Sequence, residues 1–237
     1  MEEKDILAEE EGGILRIVLN RPRVRNALNT SMMDEITFHL ESREHSPALR
    51  AVIFSGAGGS FCSGSDFRQL QPDQGAENIR RHLQAIANMY KALRRTPKFL
   101  IAEVQGNALG GGLALALACD WIIASADARF GLPETKLGFL PALALVPLAH
   151  RVRGHALELM MTGDVLDAPQ ALTMGLISQV LKEEQLSSRV IELARLLVSN
   201  DAKSSAMAKQ VYRKILSMDY EQGVDYAAGV ILSRLCG

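Results

Sequence analysis

Short apolar runs alternate with stretches of helical periodicity along the first half of the chain. The runs are rich in Val, Ile, Leu and Phe and are bounded by Gly, Pro or Asn, which is the pattern of short buried strands. Between them, apolar residues recur every three to four positions, as on one face of a helix. The pattern predicts strands at residues 14–19, 51–54, 99–102 and 121–124, a helix that begins after Asn29, and an amphipathic helix over Ala76–Arg95.

A triple glycine, residues 110–112, opens the strongly apolar segment 113–119. An apolar run entered through glycines predicts a helix buried in the core, whose first turn lies close to something that needs bare backbone. After residue 157 the pattern is mainly helical. Strands that alternate with helices, followed by a helical tail, indicate an α/β fold with a C-terminal helical region. We divide the chain into a core domain over residues 1–180 and a helical region over residues 181–237.

The composition is that of a soluble globular protein. The chain has 237 residues, of which 48% are hydrophobic and 22% are charged, so it can bury a core without disulfides or metals. The formal net charge of −1 gives no electrostatic case for a nucleic-acid or anionic-membrane partner. The two longest apolar stretches, 108–119 and 139–149, fall short of the ~18–20 residues that a membrane span needs.

The cysteine content indicates a reducing compartment. Three widely spaced cysteines form neither a disulfide framework nor a zinc site, and no cluster of His, Cys, Asp and Glu has metal-ligand spacing. The acidic N-terminus lacks the basic start and the apolar run of a signal peptide. We therefore expect a cytoplasmic protein without a bound metal.

Two glycine-bearing segments, residues 60–67 and 105–112, carry the candidate chemistry. Each follows a predicted strand, so each can place backbone N–H groups at the carboxyl edge of one sheet. Two such groups that converge on one point form an oxyanion hole, which stabilises the negative charge of an enolate. The alternative is that both segments are ordinary strand-to-helix turns. Neither is a Rossmann fingerprint or a P-loop.

Taken in order, the motifs resemble those of the enoyl-CoA hydratase/isomerase (crotonase) superfamily, from about residue 14 to about residue 180. That resemblance implies a crotonase ββα spiral core and a homotrimer, or a hexamer made of two trimers. The motifs are Asn20-Arg-Pro22, Asn26-Ala-Leu-Asn29, Phe61-Cys-Ser-Gly-Ser-Asp66, Gly106-Asn-Ala-Leu-Gly-Gly-Gly112, Cys119-Asp120 and Phe130-Gly-Leu-Pro-Glu134.

The resemblance also assigns roles to individual residues. It implies that the backbone N–H groups of Ser65 and Gly111 are the oxyanion donors, and that Glu134 is the catalytic acid and base. Coenzyme A would enter as part of an acyl-CoA thioester substrate, so no separate cofactor is expected. The residues expected to border it are Arg21, Val24, Ser63, Gly64, Asp66 and Arg68.

Arg68 has two candidate roles, and other polar residues are expected to lie outside the chemistry. Arg68 contacts a CoA phosphate or is a solvated loop charge. Asp66 and Asp120 are expected to hold turns through hydrogen bonds to backbone groups. His39, His45 and His82 are expected on polar helix faces, whereas His150 and His155 are expected to face CoA phosphates or a neighbouring subunit.

One departure from the family pattern bears on the reaction. Hydratases of the family carry a second glutamate where this chain has Ala114, and they use both carboxylates to add water. Moving a double bond needs one carboxylate, so the sequence favours a Δ3,Δ2-enoyl-CoA isomerase-like reaction at Glu134. A hydratase is the alternative if Glu103 enters the site, although a salt-bridged Glu103 is the simpler expectation. A decarboxylase, a carboxymethylproline-synthase-like enzyme and a catalytically impaired CoA-binding paralogue are further alternatives.

Two more departures concern the acyl pocket. The loop after Pro141 is more apolar and bulkier than in hydratases, so we expect a different acyl group against it. The C-terminal helical region is shorter than the family usually has, which implies a more open pocket.

Overall fold

Two β-sheets organise the chain, and the computed structural model describes residues 4–236. The larger sheet has six strands in the order β1-β2-β3-β4-β6-β9, and the smaller has three in the order β5-β7-β8. The strands are β1 (Ile6–Glu11), β2 (Ile14–Leu19), β3 (Ala51–Gly56), β4 (Phe99–Val104), β5 (Asn107–Leu109), β6 (Trp121–Ser125), β7 (Arg129–Gly131), β8 (Val165–Asp167) and β9 (Gln179–Leu181).

Two of the α-helices lie where the periodicity places them. The amphipathic helix occupies Ala76–Arg95 as predicted. The predicted helix after Asn29 begins at Thr30, and the side chain of Asn29 caps its N-terminus by accepting the backbone N–H of Met32. The helices are α1 (Thr30–Glu41), α2 (Ala76–Arg95), α3 (Gly111–Leu117), α4 (Ala142–Arg151), α5 (Ala156–Thr162), α6 (Ala168–Thr173), α7 (Glu183–Ser199), α8 (Ala202–Ile215) and α9 (Tyr220–Cys236).

Strand β1 is missing from the sequence prediction. Its residues read Ile-Leu-Ala-Glu-Glu-Glu, and among them Ile6 alone is buried. The strand forms because its backbone pairs antiparallel with β2 along the edge of the sheet, where acidic side chains stay in water. A pattern of apolar positions cannot detect such a strand.

Helices cover both faces of the larger sheet, and α7 covers one of them. Along β4, Leu100, Ala102 and Val104 belong to the main core, whereas Ile101 packs under α7 in a second apolar cluster. The sheet also continues through β9, so the domain boundary that we predicted at residue 180 falls within a strand of the core. Helix α7 is therefore part of the sheet-packing layer and not an appendage.

Parallel pairing brings the two glycine-bearing segments to one edge of the sheet. Strands β2, β3, β4 and β6 run parallel, so the segments after β3 and β4 leave it at the same end. The segment after Pro141, expected as a loop, is the start of α4, where Leu143 and Leu145 pack against the main core. Among the described helices, none combines the length and the apolar character that crossing a bilayer requires.

Candidate active site

The backbone N–H of Ser65 is left without an acceptor by the pairing of its own loop. The amide of Leu28 donates to the Gly64 carbonyl at 2.8 Å, and the amide of Asp66 donates to the Leu28 carbonyl at 2.9 Å. This short parallel bridge uses the groups on either side of Ser65, so the Ser65 N–H is directed to the opposite side of the loop. No group of residues 4–236 accepts it.

The backbone N–H of Gly111 is the second donor, and it lies next to the first. Gly111 is the first residue of α3, where an amide has no partner within the helix. A Cβ added at Gly111 would lie 3.2 Å from the Ser65 nitrogen, and one added at Gly64 would lie 3.4 Å from the Gly111 nitrogen. The two amides therefore converge, with bare backbone around them, as an oxyanion hole requires.

Glu134 lies directly beside these donors. It belongs to the short 3-10 helix Pro133–Leu137 that follows β7, and it is buried. Its Oε2 atom is buried without a hydrogen-bond partner in the described part of the chain. Burial raises the pKa of this carboxyl above its usual value, although its own backbone N–H opposes the shift. A buried, unpaired carboxyl with a raised pKa suits a group that takes up and releases a proton.

The carboxylate missing at Ala114 is not replaced by Glu103. Ala114 is buried in α3, on the side of the sheet that holds the glycine segments. Glu103 lies on β4 between Ala102 and Val104, so its side chain leaves the opposite face of the strand. There it forms an ion pair of 2.7 Å with Arg16. The expectation of a salt-bridged Glu103 is confirmed.

The structure brings together the two segments that were expected to border coenzyme A. The backbone N–H of Ser63 donates to the Arg25 carbonyl at 2.9 Å, and the Ser63 hydroxyl donates to the Val24 carbonyl at 3.2 Å. With the bridge through Leu28 and Gly64, these bonds join residues 21–28 to residues 61–68. The loop that carries the Ser65 amide is thereby held to the segment after β2.

Arg21, Asp66 and Arg68 form one charge cluster in this region. The Asp66 carboxylate accepts the Arg68 guanidinium at 2.7 Å and the Arg21 guanidinium at 3.1 Å. These bonds lower the pKa of Asp66 to about 2, and the bond from Arg68 has the larger effect. Asp66 also accepts the backbone N–H of Arg68 at 3.3 Å, so it holds the turn as expected. The Arg68 side chain is 69% exposed, which leaves it accessible to an anionic ligand.

Asn26 organises the same region, and the sequence reading gave it no role beyond its motif. It is fully buried with φ of 57°, a left-handed conformation that Asn tolerates better than most residues. Its Oδ1 accepts the Arg21 N–H at 2.8 Å, and its Nδ2 donates to the carbonyls of Ala57 and Ser60. One side chain thus connects the segment after β2 to the segment after β3.

The expectation that His82 lies on a polar helix face is wrong. His82 is fully buried, with Ala85, Ile86 and Met89 on the same face of α2, whereas Leu83 is 43% exposed. The buried face of α2 is displaced by about one residue from the predicted one. The spacing of i+3, i+4 and i+7 from position 82 is the signal that could have revealed this face. His150 and His155 are exposed.

Tyr90 lies at the other side of Gly111, between the donors and a cavity. Its hydroxyl donates to the Gly111 carbonyl at 3.5 Å, and burial raises its pKa. The cavity has a volume of about 590 Å³, and its lining includes Leu117, Val146 and Tyr212 but not Glu134. It therefore lies under α3 and away from the pair of donors. The described residues contain no group of metal-ligating side chains.

Comparison with known proteins gives one consistent result. A family model described as Enoyl-CoA hydratase/isomerase matches residues 9–233. The Short-chain-enoyl-CoA hydratase of Clostridium acetobutylicum is 32% identical over 230 residues, which cover 95% of this chain and 87% of that protein. The mitochondrial Enoyl-CoA hydratase domain-containing protein 3 of Danio rerio is 30% identical over 230 residues, which cover 97% of this chain and 80% of that protein.

Solved structures agree with the sequence comparisons. The crystal structure of human enoyl-CoA hydratase domain-containing protein 3 superposes with a TM-score of 0.94 at 28% sequence identity. The superposition covers 99% of this chain and 93% of the human one. The fold is therefore the crotonase fold that the motifs implied, and the chain belongs to the enoyl-CoA hydratase/isomerase family.

Proposed function

We propose that the protein binds an acyl-CoA thioester and stabilises its enolate between the N–H groups of Ser65 and Gly111. The observation that carries this proposal is the meeting of two convergent amides and an unpaired, buried Glu134 carboxyl. Negative charge on the thioester oxygen would be met by donors that are already in place, so little reorganisation is needed during reaction. The carboxyl beside them would move the proton.

We assign a Δ3,Δ2-enoyl-CoA isomerase-like reaction to this site. The Glu134 carboxylate removes a proton from C2, and the electron pair spreads into the thioester carbonyl and the C3–C4 double bond. The resulting dienolate is held by the two amides. The same carboxyl then returns the proton to C4 and leaves a C2–C3 double bond. One acid and base is sufficient, which fits Ala114 and a Glu103 that points to the other face of the sheet.

Hydration of an enoyl-CoA is the competing function, and the names of the relatives favour it. The bacterial relative is named a short-chain-enoyl-CoA hydratase, and the vertebrate ones carry hydratase in their names. Adding water requires both activation of the water and delivery of a proton to carbon. With Glu134 as the carboxyl beside the donors, a hydratase would have to use that residue for both steps.

Coenzyme A would lie along the joined segments that contain Val24 and Ser63. Arg68 is the candidate for a phosphate contact, because its guanidinium is exposed and is held at the loop by Asp66. Assembly into a homotrimer or a hexamer is part of the same proposal. It is supported by large apolar side chains that stay exposed on the single chain, among them Leu140 and Leu157. Light scattering that gives a monomer at micromolar concentration would contradict the assembly.

The function is tested by offering three substrates separately and following the products by mass spectrometry. We expect 3-enoyl-CoA to be converted, crotonyl-CoA to be hydrated slowly, and methylmalonyl-CoA to stay unchanged. Glu134→Gln should lower the isomerisation rate by about 10²–10⁴-fold. Glu103→Gln is the matched control, because its carboxylate lies on the other face of the sheet, and it should leave the rate unchanged.

Each contrary result identifies an alternative. Fast hydration of crotonyl-CoA with 3-enoyl-CoA untouched would establish a hydratase. Loss of CO2 from methylmalonyl-CoA would establish a decarboxylase. Binding of acyl-CoA without conversion, and without exchange of C2 protons in D2O, would indicate a CoA-binding paralogue that has lost its activity.

A further inference from the structure

The buried imidazole of His82 is bonded through both ring nitrogens. Its Nε2 lies 2.7 Å from the hydroxyl oxygen of Ser65, the residue whose amide is one of the two donors. Its Nδ1 lies 2.9 Å from the hydroxyl oxygen of Thr30, the first residue of α1. His82 therefore connects the loop of the oxyanion hole to the N-terminus of α1 across the interior of the protein.

The neighbouring hydrogen bonds fix which nitrogen carries the proton. Gln69 Oε1 accepts the backbone N–H of Thr30 at 2.8 Å and the Thr30 hydroxyl at 3.0 Å, so the Thr30 hydroxyl proton is used there. Thr30 Oγ1 must then accept from His82 Nδ1, which makes Nε2 the acceptor. The Ser65 hydroxyl therefore donates to His82, and the chain of bonds runs in one direction from Ser65 to Gln69.

The ring is also held in its neutral form. Burial lowers the pKa of His82, and the nearby Asp66 carboxylate opposes that shift. Asp66 is itself bound by two arginines, which reduces its effect on the ring. A neutral ring with Nδ1 protonated is the form that can accept the Ser65 hydroxyl.

We propose that His82 is a positioning residue for the oxyanion hole, which acts by holding the Ser65 hydroxyl so that the Ser65 amide stays aligned with that of Gly111. The proposal rests on the proposed function, since it requires the Ser65 N–H to be a donor to the substrate. One side of the loop is held by the bonds of Gly64 and Asp66 to Leu28. The hydrogen bond from the Ser65 hydroxyl to His82 attaches the other side of the loop, and it prevents the loop from rotating about its bonds to Leu28.

This second attachment matters because the loop is otherwise easy to deform. Gly64 has φ of 115°, in a region that glycine alone enters without strain, and it directly precedes Ser65. A displacement of one ångström in a donor or a reacting group costs about 10²-fold in rate. A hydroxyl anchored to a helix in the core keeps the adjacent amide within that tolerance.

The test is a double-mutant cycle between His82 and Ser65. Ser65→Ala keeps the amide and removes the hydroxyl, and His82→Phe keeps a ring of similar size and removes both nitrogens. We expect each change to lower kcat about tenfold with little change in KM, and the double variant to be no slower than either single one. His82→Gln retains an acceptor for the Ser65 hydroxyl and should recover part of the lost rate. His45→Phe, an exposed histidine, is the matched control.

A second readout measures the hole without turnover. Acetoacetyl-CoA absorbs in the near ultraviolet as its enolate, so its apparent pKa on the protein reports the strength of the two donors. We expect the apparent pKa of bound acetoacetyl-CoA to rise in Ser65→Ala and also in His82→Phe. Loss of core packing alone would lower Tm and leave this pKa unchanged.

The outcomes separate the two proposals. A double variant whose kcat falls about 100-fold, the product of the two single effects, would overturn the role of His82. Single variants that keep the wild-type kcat would overturn it too, and either result leaves the proposed function intact. A wild-type protein that neither converts any acyl-CoA nor binds the acetoacetyl-CoA enolate overturns both.

Discussion

The carboxylate of Glu134 occupies the space that a side chain at Gly110 would need. A Cβ built on Gly110 would lie 2.2 Å from Glu134 Oε1 and 2.9 Å from its carboxyl carbon. Gly110 also has φ of 53°, and its N–H donates to the Gly131 carbonyl at 2.9 Å. The residue before the second oxyanion donor is therefore glycine for two separate reasons, and it sets the distance between the carboxyl and the hole.

Gly110→Ala should abolish most of the activity, because the added methyl group and Glu134 cannot both keep their places. We expect a fall in kcat of about 100-fold or more, with a lower Tm from the strained backbone. Gly12→Ala separates the two causes, since Gly12 has φ of 58° and nothing within 4 Å of the added carbon. Similar losses of activity in both variants would show that strain, and not the clash with Glu134, is responsible.

Removing the Gly111 donor should slow the reaction without preventing folding. Gly111 is the first residue of α3, a position where proline is tolerated because its missing N–H has no helical partner. Gly111→Pro should cost about 3–4 kcal/mol of transition-state stabilisation, measured from kcat/KM. Gly111→Ala keeps the N–H but places a methyl group 3.2 Å from the Ser65 nitrogen, so it should lose activity as well, although less than the proline variant. Retained activity in a folded proline variant would remove Gly111 from the mechanism.

The raised pKa of Glu134 predicts a stability that depends on pH. Below the unfolded-state pKa of about 4.3 the group is protonated in both states, so it costs nothing. As the pH rises through the higher folded-state pKa, the folded protein must hold a buried charge and loses stability. Glu134→Gln should therefore raise Tm at pH 8, with a gain that vanishes towards pH 4. A gain of the same size at every pH would contradict a titrating Glu134.

An ion pair between a buried lysine and a half-buried aspartate near the cavity should be important for stability rather than for chemistry. Lys209 is buried, and its Nζ lies 2.5 Å from the Asp120 carboxylate, which also accepts the Leu100 N–H at 2.8 Å. Asp120→Asn should lower the free energy of unfolding by about 3–5 kcal/mol, because the Lys209 charge stays buried without its partner. Urea denaturation measures this change. Asp127→Asn, at an exposed position, is the control.

A second substitution, at Lys209, tests whether the buried charge causes the predicted loss of stability. Adding Lys209→Met to Asp120→Asn removes the uncompensated charge, so the double variant should be more stable than Asp120→Asn alone. If Lys209→Met makes the protein less stable in that background, the uncompensated charge is not the source of the cost, and the lost bond from Lys209 Nζ to the Lys98 carbonyl outweighs it.

Local sequence patterns identified the central strands, the first three helices and the residues of the proposed site. The apolar runs identified β2, β3, β4 and β6, and the triple glycine identified the buried start of α3. These elements could be predicted because the spacing of apolar residues along the chain differs between strands and helices. The motifs alone singled out Ser65, Gly111 and Glu134, which the fold then placed side by side. That agreement reflects how strongly a glycine-lined site constrains its own sequence.

Tertiary structure decided what no local pattern contains. Glu103 lies on the face of the sheet that α7 covers, away from the site. The alternation of residues along β4 separates the two faces but does not predict which of them carries the site. His82 is buried because α2 packs with a rotation about one residue from the predicted one, which brings the ring to Ser65 and Thr30. The Ser65 amide is available because Leu28 pairs with the groups on either side of it. Each of these outcomes depends on contacts between residues far apart in the chain, and packing, not periodicity, sets them.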